Sequence, residues 1–184
     1  MVRISTGQPW RYATNTALSQ AEQGEVTALC NAGFTGKWMP FTSPDRVGPV
    51  WAQIVEATEA GRLGWAAKVD NQPPRPGRDL LICVYTKDHR DTQDLTRVLA
   101  ELREMGIDQR LSYKEDAATM ALRYGGGAAL YVAQPGTTYF DRRRAPYGRD
   151  DQNALFGEPD EQEELTVEQM FRRKEPYGPF PPAP

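Results

Sequence analysis

Histidine is nearly absent from this chain and lysine is scarce. One imidazole, His89, and five lysines stand beside 17 arginines in 184 residues. The two cysteines, Cys30 and Cys83, are isolated, and no CxxC or Cys/His cluster points to zinc. Cys83 falls in the most apolar stretch, where a buried, inert thiol is expected. No apolar run approaches the ~20 residues of a membrane-spanning helix. The N-terminus lacks a signal-peptide pattern, so the default location is cytoplasmic, away from membranes. Excess positive charge is lacking too. A formal charge of -3 and a pI near 5.3 argue against a general nucleic-acid coat or membrane-surface binder, while leaving room for a small basic pocket. GxGxxG, P-loop, GxSxG and HExxH motifs are missing. The glycine triplet at 125–127 has no lysine or helix context for phosphate and reads as a tight turn. No serine sits in a nucleophile turn, so a Ser-His-Asp triad is not supported. No cofactor or metal is implied.

Hydrophobic residues make up 39% of the chain and mean hydropathy is -0.65, so the core must be concentrated in part of it. Residues 1–33 read as an N-terminal extension, polar and irregular at first, with a short helix over 18–32. An α+β domain is expected over 34–136. KWMPF (37–41) reads as a strand. Val47, Val50, Trp51, Ile54 and Val55 then recur on one helix face. Pro49 suits the first helical position, which puts the start near Gly48. RLGWAAKVD (62–70) is a second strand, with Leu63, Trp65, Ala67 and Val69 on one face and Lys68 on the other. DLLICVYT (79–86) is apolar on both faces and therefore central. Leu95, Val98, Leu99, Leu102 and Met105 form the stripe of the clearest helix, started by Asp91 and Asp94. LSYK (111–114), a helical turn and AALYVA (128–133) complete the order. Short loops make the second and third strands antiparallel. The fold class is thus α+β: a mainly antiparallel sheet with helices packed on one face.

Four of the five lysines, Lys37, Lys68, Lys87 and Lys114, fall at or near strand ends. Lysine is the compact, rotatable charge whose pKa shifts readily on burial. Pairing of the strands would let these ammonium groups gather round one anion. Lys68 stands out, because its strand is otherwise small and apolar. Arg90 is a possible helper. Trp38 and Trp65 are either core or a stacking platform for a base, and Trp10 is placed to cover a sheet edge. His89 lies after a central strand and before a helix start. That suits a general acid or base, or phosphate recognition, although a solvated loop histidine fits as well.

The runs GKWMPF, WAQIV, GRLGWAAKV, LLICVYTKDHRDTQDLTRVLAELREMGI and LSYKED, over about 34–133, resemble the basophilic-leukaemia-expressed protein family. That resemblance implies the curved antiparallel sheet, helices on one side, of the mRNA cap-binding translation initiation factor. There, tryptophans stack on the methylated guanine, a glutamate pairs with its edge, and basic residues hold phosphates. A more distant resemblance is to bacterial phosphothreonine lyases, with Lys37-Trp38-Met39 and Lys68-Val69 at the matching strands. It implies Lys68 as base. Met39 stands where those enzymes carry a histidine acid, and a thioether cannot deliver a proton. His89 would have to replace it.

Residues 137–184 read as a charged, proline-rich, poorly structured tail. RRRAPYG (142–148) and RRKEPYG (172–178) repeat a pattern. LTVEQMF (165–171) carries a capping box at Thr166 and Gln169 and a hydrophobic staple at Leu165 and Met170. Arg142, Tyr147, Leu165, Met170, Phe171 and Tyr177 are the candidate docking residues. The expected function is a binding protein for a phosphorylated ligand, whether a nucleotide, an RNA end or a phosphopeptide. Lys37, Trp38, Trp65, Lys68, Lys87, Arg90 and Lys114 are its candidate contacts. A lyase using Lys68 and His89, and a scaffold acting through its tail with a protein partner, are the alternatives.

Overall fold

The structure is a computed structural model that describes residues 9–72, 77–123 and 126–146. In chain order the elements are β1 (Trp10–Thr14), α1 (Gln20–Asn31), β2 (Gly36–Met39), β3 (Phe41–Thr42), α2 (Val47–Glu59), β4 (Ala66–Asp70), β5 (Leu80–Thr86), α3 (Thr92–Glu104), β6 (Leu111–Glu115), α4 (Asp116–Met120), β7 (Tyr131–Ala133) and β8 (Asp141–Arg142). A 3₁₀ turn at Gly126–Ala128 precedes β7. One sheet runs β1-β4-β5-β2-β6-β7-β8, with β3 also paired to β5, and every pairing is antiparallel. The fold is α+β.

Alternation assigns the two faces. Trp38, Ala67, Val69, Ile82, Val84, Leu111 and Tyr113 point to one side, where Trp51 and Ile54 of α2 and Leu95, Val98, Leu99 and Leu102 of α3 complete the main core. Helix α3 begins where expected: the Asp91 side chain accepts the amide of Asp94 at 3.0 Å. Helix α2 starts at Val47, and Pro49 sits in its first turn, where a missing amide costs nothing. Helix α1 departs from the one-face expectation. Its Val26 packs with Trp65, Ala66, Cys83 and Tyr85 on the opposite face. A capping box at Ser19 and Glu22 starts this helix.

Two other departures have local causes. The second strand begins at Ala66, four residues later than expected, because Gly64 lies against the β5 backbone. A Cβ there would sit 1.7 Å from the Tyr85 carbonyl oxygen. The alternation breaks at this contact, so Trp65 turns away from Leu63 into the α1 cluster. The sheet also extends beyond 34–136 at both ends. β1 pairs with β4 along its whole length, and β8 pairs with β7. Phe140 stacks edge-on against Trp38, and the Arg144 guanidinium donates to Glu115 and to the Ala128 carbonyl. Arg142 is therefore a strand residue. Tyr147, Leu165, Met170, Phe171 and Tyr177 lie outside the described residues.

Candidate functional site: a lysine-bearing face

The register puts three lysines on the face opposite the main core. Lys37 is the cross-strand partner of Lys114 on one side and of Tyr85 on the other. One row along, Lys68 lies between Tyr12 and Cys83. Cys83, the cross-strand partner of Lys68, lies on the same face. Burial pushes its pKa up, while the charges of Lys68, Lys37 and Lys114 pull it down.

Like charges directly opposite each other on a sheet are destabilising, and here both are buried. Lys37 and Lys114 are each 5% exposed. Helix α4 answers the first. Lys37 Nζ donates to Asp116 Oδ1 at 2.6 Å and to Thr119 Oγ1 at 2.9 Å, while Thr35 Oγ1 donates to the other carboxylate oxygen at 2.7 Å. Lys114 Nζ donates to the Arg123 carbonyl. Its pKa falls from 10.5 to about 8, chiefly by burial, then by repulsion from Lys37 and Arg144. Asp116 is the residue of this face that sequence reasoning missed: it opens the short helix α4, and its pairing with Lys37 follows only from the fold. Lys68 is half-exposed, with Nζ 4.2 Å from the centre of the Trp10 ring, a cation–π contact.

Several candidates do not join this face as ligand contacts. Trp38 is fully buried on the helix side, and its indole N–H donates to the Leu95 carbonyl at 3.2 Å. Trp65 is buried against Tyr85 and donates to the Thr86 carbonyl at 3.2 Å. Neither ring has a face open for stacking; they are core, and the rings beside the lysines are Trp10 at Lys68 and Tyr85 at Lys37. Lys87 pairs with Glu25 of α1 at 3.0 Å on the surface. Arg90 pairs with Asp88 at 2.6 Å and lies over the Phe34 ring at 3.5 Å.

His89 is not a solvated loop residue. It is 2% exposed, and both its backbone amide and its Nδ1 bond to the Phe34 carbonyl at 2.8 Å. Burial lowers its pKa below 6.5. Its side chain is thus fixed at Phe34, five residues before Met39. Along extended chain that separation is roughly 17 Å. The imidazole cannot act as the acid at Met39's position. Among the described residues, no group of three or more His, Cys, Asp or Glu side chains is placed to hold a metal.

A family description of the basophilic leukemia-expressed protein Bles03 matches residues 11–121, from β1 through α4. The chain belongs to the Bles03 family. The match takes in the three lysines, Trp10's neighbours in β1 and the Asp116 helix. Among solved structures, the complex of Ascaris suum eIF4E-3 with m2,2,7G cap is similar at 14% identity and a TM-score of 0.39. The likeness covers 57% of this chain, which spans about three fifths (61%) of that one. No helix among the described residues is long and apolar enough to cross a membrane.

Proposed function

We propose that this Bles03-family chain is a binding protein that takes a phosphorylated ligand on the lysine-bearing face. One observation carries the reading: the register sets Lys37, Lys68 and Lys114 on the same face, with Asp116 the carboxylate bonded to Lys37. Two opposed, buried ammonium groups cost stability, and a fold that keeps them has a use for positive charge. An anion beside Lys114 and Lys68 relieves that repulsion. Lys68 is the reachable member, and the Trp10 ring beside it offers a surface for a base or an aromatic side chain. A phosphate takes point charges of this kind readily.

Among the described residues, the place that the lyase resemblance gives to a histidine acid holds the thioether of Met39, and His89 is fixed at the Phe34 carbonyl. We read the face as binding its ligand without turnover.

The test is a thermal-shift panel on wild type and Lys68→Ala. It uses 7-methylguanosine cap analogue, free nucleotides, 5′-phosphorylated RNA and phosphothreonine peptide, with mass spectrometry of the peptide after incubation. A ligand at 100 times its Kd adds about 2.7 kcal/mol to the folded state. We expect one ligand class to raise the midpoint in wild type and not in Lys68→Ala, with peptide mass unchanged. No shift with any of them overturns the proposal. A product one water lighter than the unphosphorylated peptide, formed when the Cα proton is removed and the Cβ–O bond breaks with release of inorganic phosphate, shows an enzyme instead.

A further inference from the structure

The chain's single histidine is buried beside the anchors of its last strand. His89 Nδ1 lies 2.8 Å from the Phe34 carbonyl oxygen, which can only accept, so Nδ1 carries the proton. Nε2 is then the nitrogen that titrates, and among the described residues it has no hydrogen-bond partner. The groups around it are few. Its own loop supplies Asp88 and Arg90, which pair with each other at 2.6 Å. The chain before β2 supplies the uncharged Phe34 ring and carbonyl. Strand β6 supplies Glu115, the carboxylate that acts most strongly on the imidazole. Strand β7 supplies Tyr131, whose hydroxyl donates to the His89 carbonyl at 3.2 Å. Burial outweighs the carboxylates and disfavours the imidazolium.

Glu115 and Tyr131 also hold the segment that ends the described fold. Arg144 donates to the Glu115 carboxylate and to the Ala128 carbonyl. The Phe140 ring packs on Tyr131 at 4.9 Å and on Trp38 at 5.5 Å, measured between ring centres. Between these anchors β8 is only two residues long, and the Arg143 amide adds one bond to the Leu130 carbonyl at 2.8 Å. Further back, Arg103 donates to the Gln134 and Thr137 carbonyls at 2.9 Å each. Residues 138–144 thus form a strap. Arg103 fixes it at Thr137, and its far end closes on the groups that surround His89.

We propose that protonation of His89 opens this strap. An imidazolium here draws on the same carboxylate as Arg144 and repels its guanidinium. Opening admits water to the imidazolium and moves the two cations apart. The open form therefore takes up the proton more readily than the closed form. Closure is at full strength above about 6.5, the ordinary value for imidazole, and weakens as pH falls below it. Helix α3 and the core beneath it keep their packing. The device is independent of what the lysine-bearing face binds.

The full chain, as wild type and as His89→Gln, is followed from pH 7.5 to 4.5. NMR reads the single imidazole. Hydrogen–deuterium exchange, corrected for the intrinsic effect of pH, reads residues 138–144 against α3. We expect exchange in the wild-type strap to rise at least tenfold over the range in which the imidazole titrates, with α3 still protected. The strap of His89→Gln should stay closed throughout. A strap that keeps its protection while the imidazole titrates overturns the proposal. Opening that persists in His89→Gln also overturns it and moves the trigger to Glu115. Loss of α3 protection together with the strap overturns it too, because the domain then unfolds as a whole. Should His89→Gln fail to fold, the wild type decides alone: coincident midpoints for the imidazole and the strap support the device, and separate midpoints overturn it.

Discussion

Replacing Lys114 with methionine should stabilise the protein at neutral pH. The side chain keeps its length and loses its charge. In the folded state the lysine's pKa is about 8, against an ordinary 10.5. At 1.36 kcal/mol per unit, holding the ammonium on the sheet costs about 3 kcal/mol as a ceiling. The substitution also leaves the Arg123 carbonyl without this donor, a loss of about 1–2 kcal/mol. The net gain at pH 7 is about 1–2 kcal/mol, or roughly 3–6 °C in thermal midpoint for a domain of this size. The pH dependence makes the test specific. Below pH 8 the folded and unfolded states both hold the proton, and wild type bears the full cost. Between about 8 and 10.5 the unfolded state binds the proton more tightly, so wild-type stability rises with pH relative to Lys114→Met. The variant's advantage should shrink and then reverse by about pH 10. Urea unfolding of both proteins at pH 7, 9 and 10 gives the difference directly. A variant less stable than wild type at pH 7, with a gap that stays flat to pH 10, would refute the reasoning.

Asp116→Asn leaves the Lys37 ammonium buried without its charge partner and should cost about 3–5 kcal/mol in denaturant unfolding; the loss should largely disappear in the Lys37→Met background. Gly64→Ala forces a methyl group into the Tyr85 carbonyl, and we expect an insoluble protein or a midpoint lowered by more than 10 °C. A small drop would show that β5 can move away. Burial holds the His89 pKa below its ordinary 6.5. Wild type should therefore lose stability as pH falls below about 6.5, a loss absent from His89→Gln when midpoints are compared from pH 5 to 7. Arg144→Ala removes one ion-pair partner of the buried Glu115 and should lower the domain's stability measurably in denaturant unfolding. An unchanged midpoint would place Arg144 outside the domain's cooperative unit.

Much of the fold was legible because its strands and helices carry strong periods. The α3 stripe from Leu95 to Leu102 and the doubly apolar β5 each needed one arrangement, and the structure has it. Sheet edges were less legible. β1 reads as polar chain, since Trp10, Tyr12 and Thr14 alternate over only five residues and the strand is defined by its partner β4. The turn of Trp65 onto the other face depends on how closely Gly64 approaches Tyr85, a contact between segments 21 residues apart. Such a contact has no local signature. Phe140 and Arg144 look like tail residues by composition, and are tied to the domain only through Trp38 and Glu115.

The site divides the same way. That Lys37, Lys68 and Lys114 share a face follows from strand parity once the pairing is known, and lysine's scarcity pointed to them. Burial could not be read. Trp38 and Trp65 carry the chemistry of a stacking platform, and their environment makes them core. His89 had the right position in a loop for catalysis, and the Phe34 carbonyl takes it out of solvent. Asp116 went unnoticed because an acidic residue opening a short helix is ordinary in sequence; only its 2.6 Å approach to Lys37 gives it a role.

The central claim is that the lysine-bearing face binds a phosphorylated ligand through Lys68. Isothermal titration calorimetry of wild type and Lys68→Ala with phosphothreonine peptide, its unphosphorylated counterpart and 7-methyl-GTP, at low and high salt, tests it most directly. The account predicts that one phosphorylated probe binds wild type, weakens as salt rises, and loses at least tenfold in affinity in Lys68→Ala. Equal affinity for the phosphorylated and unphosphorylated peptides, or binding unaltered by the loss of Lys68, would contradict it.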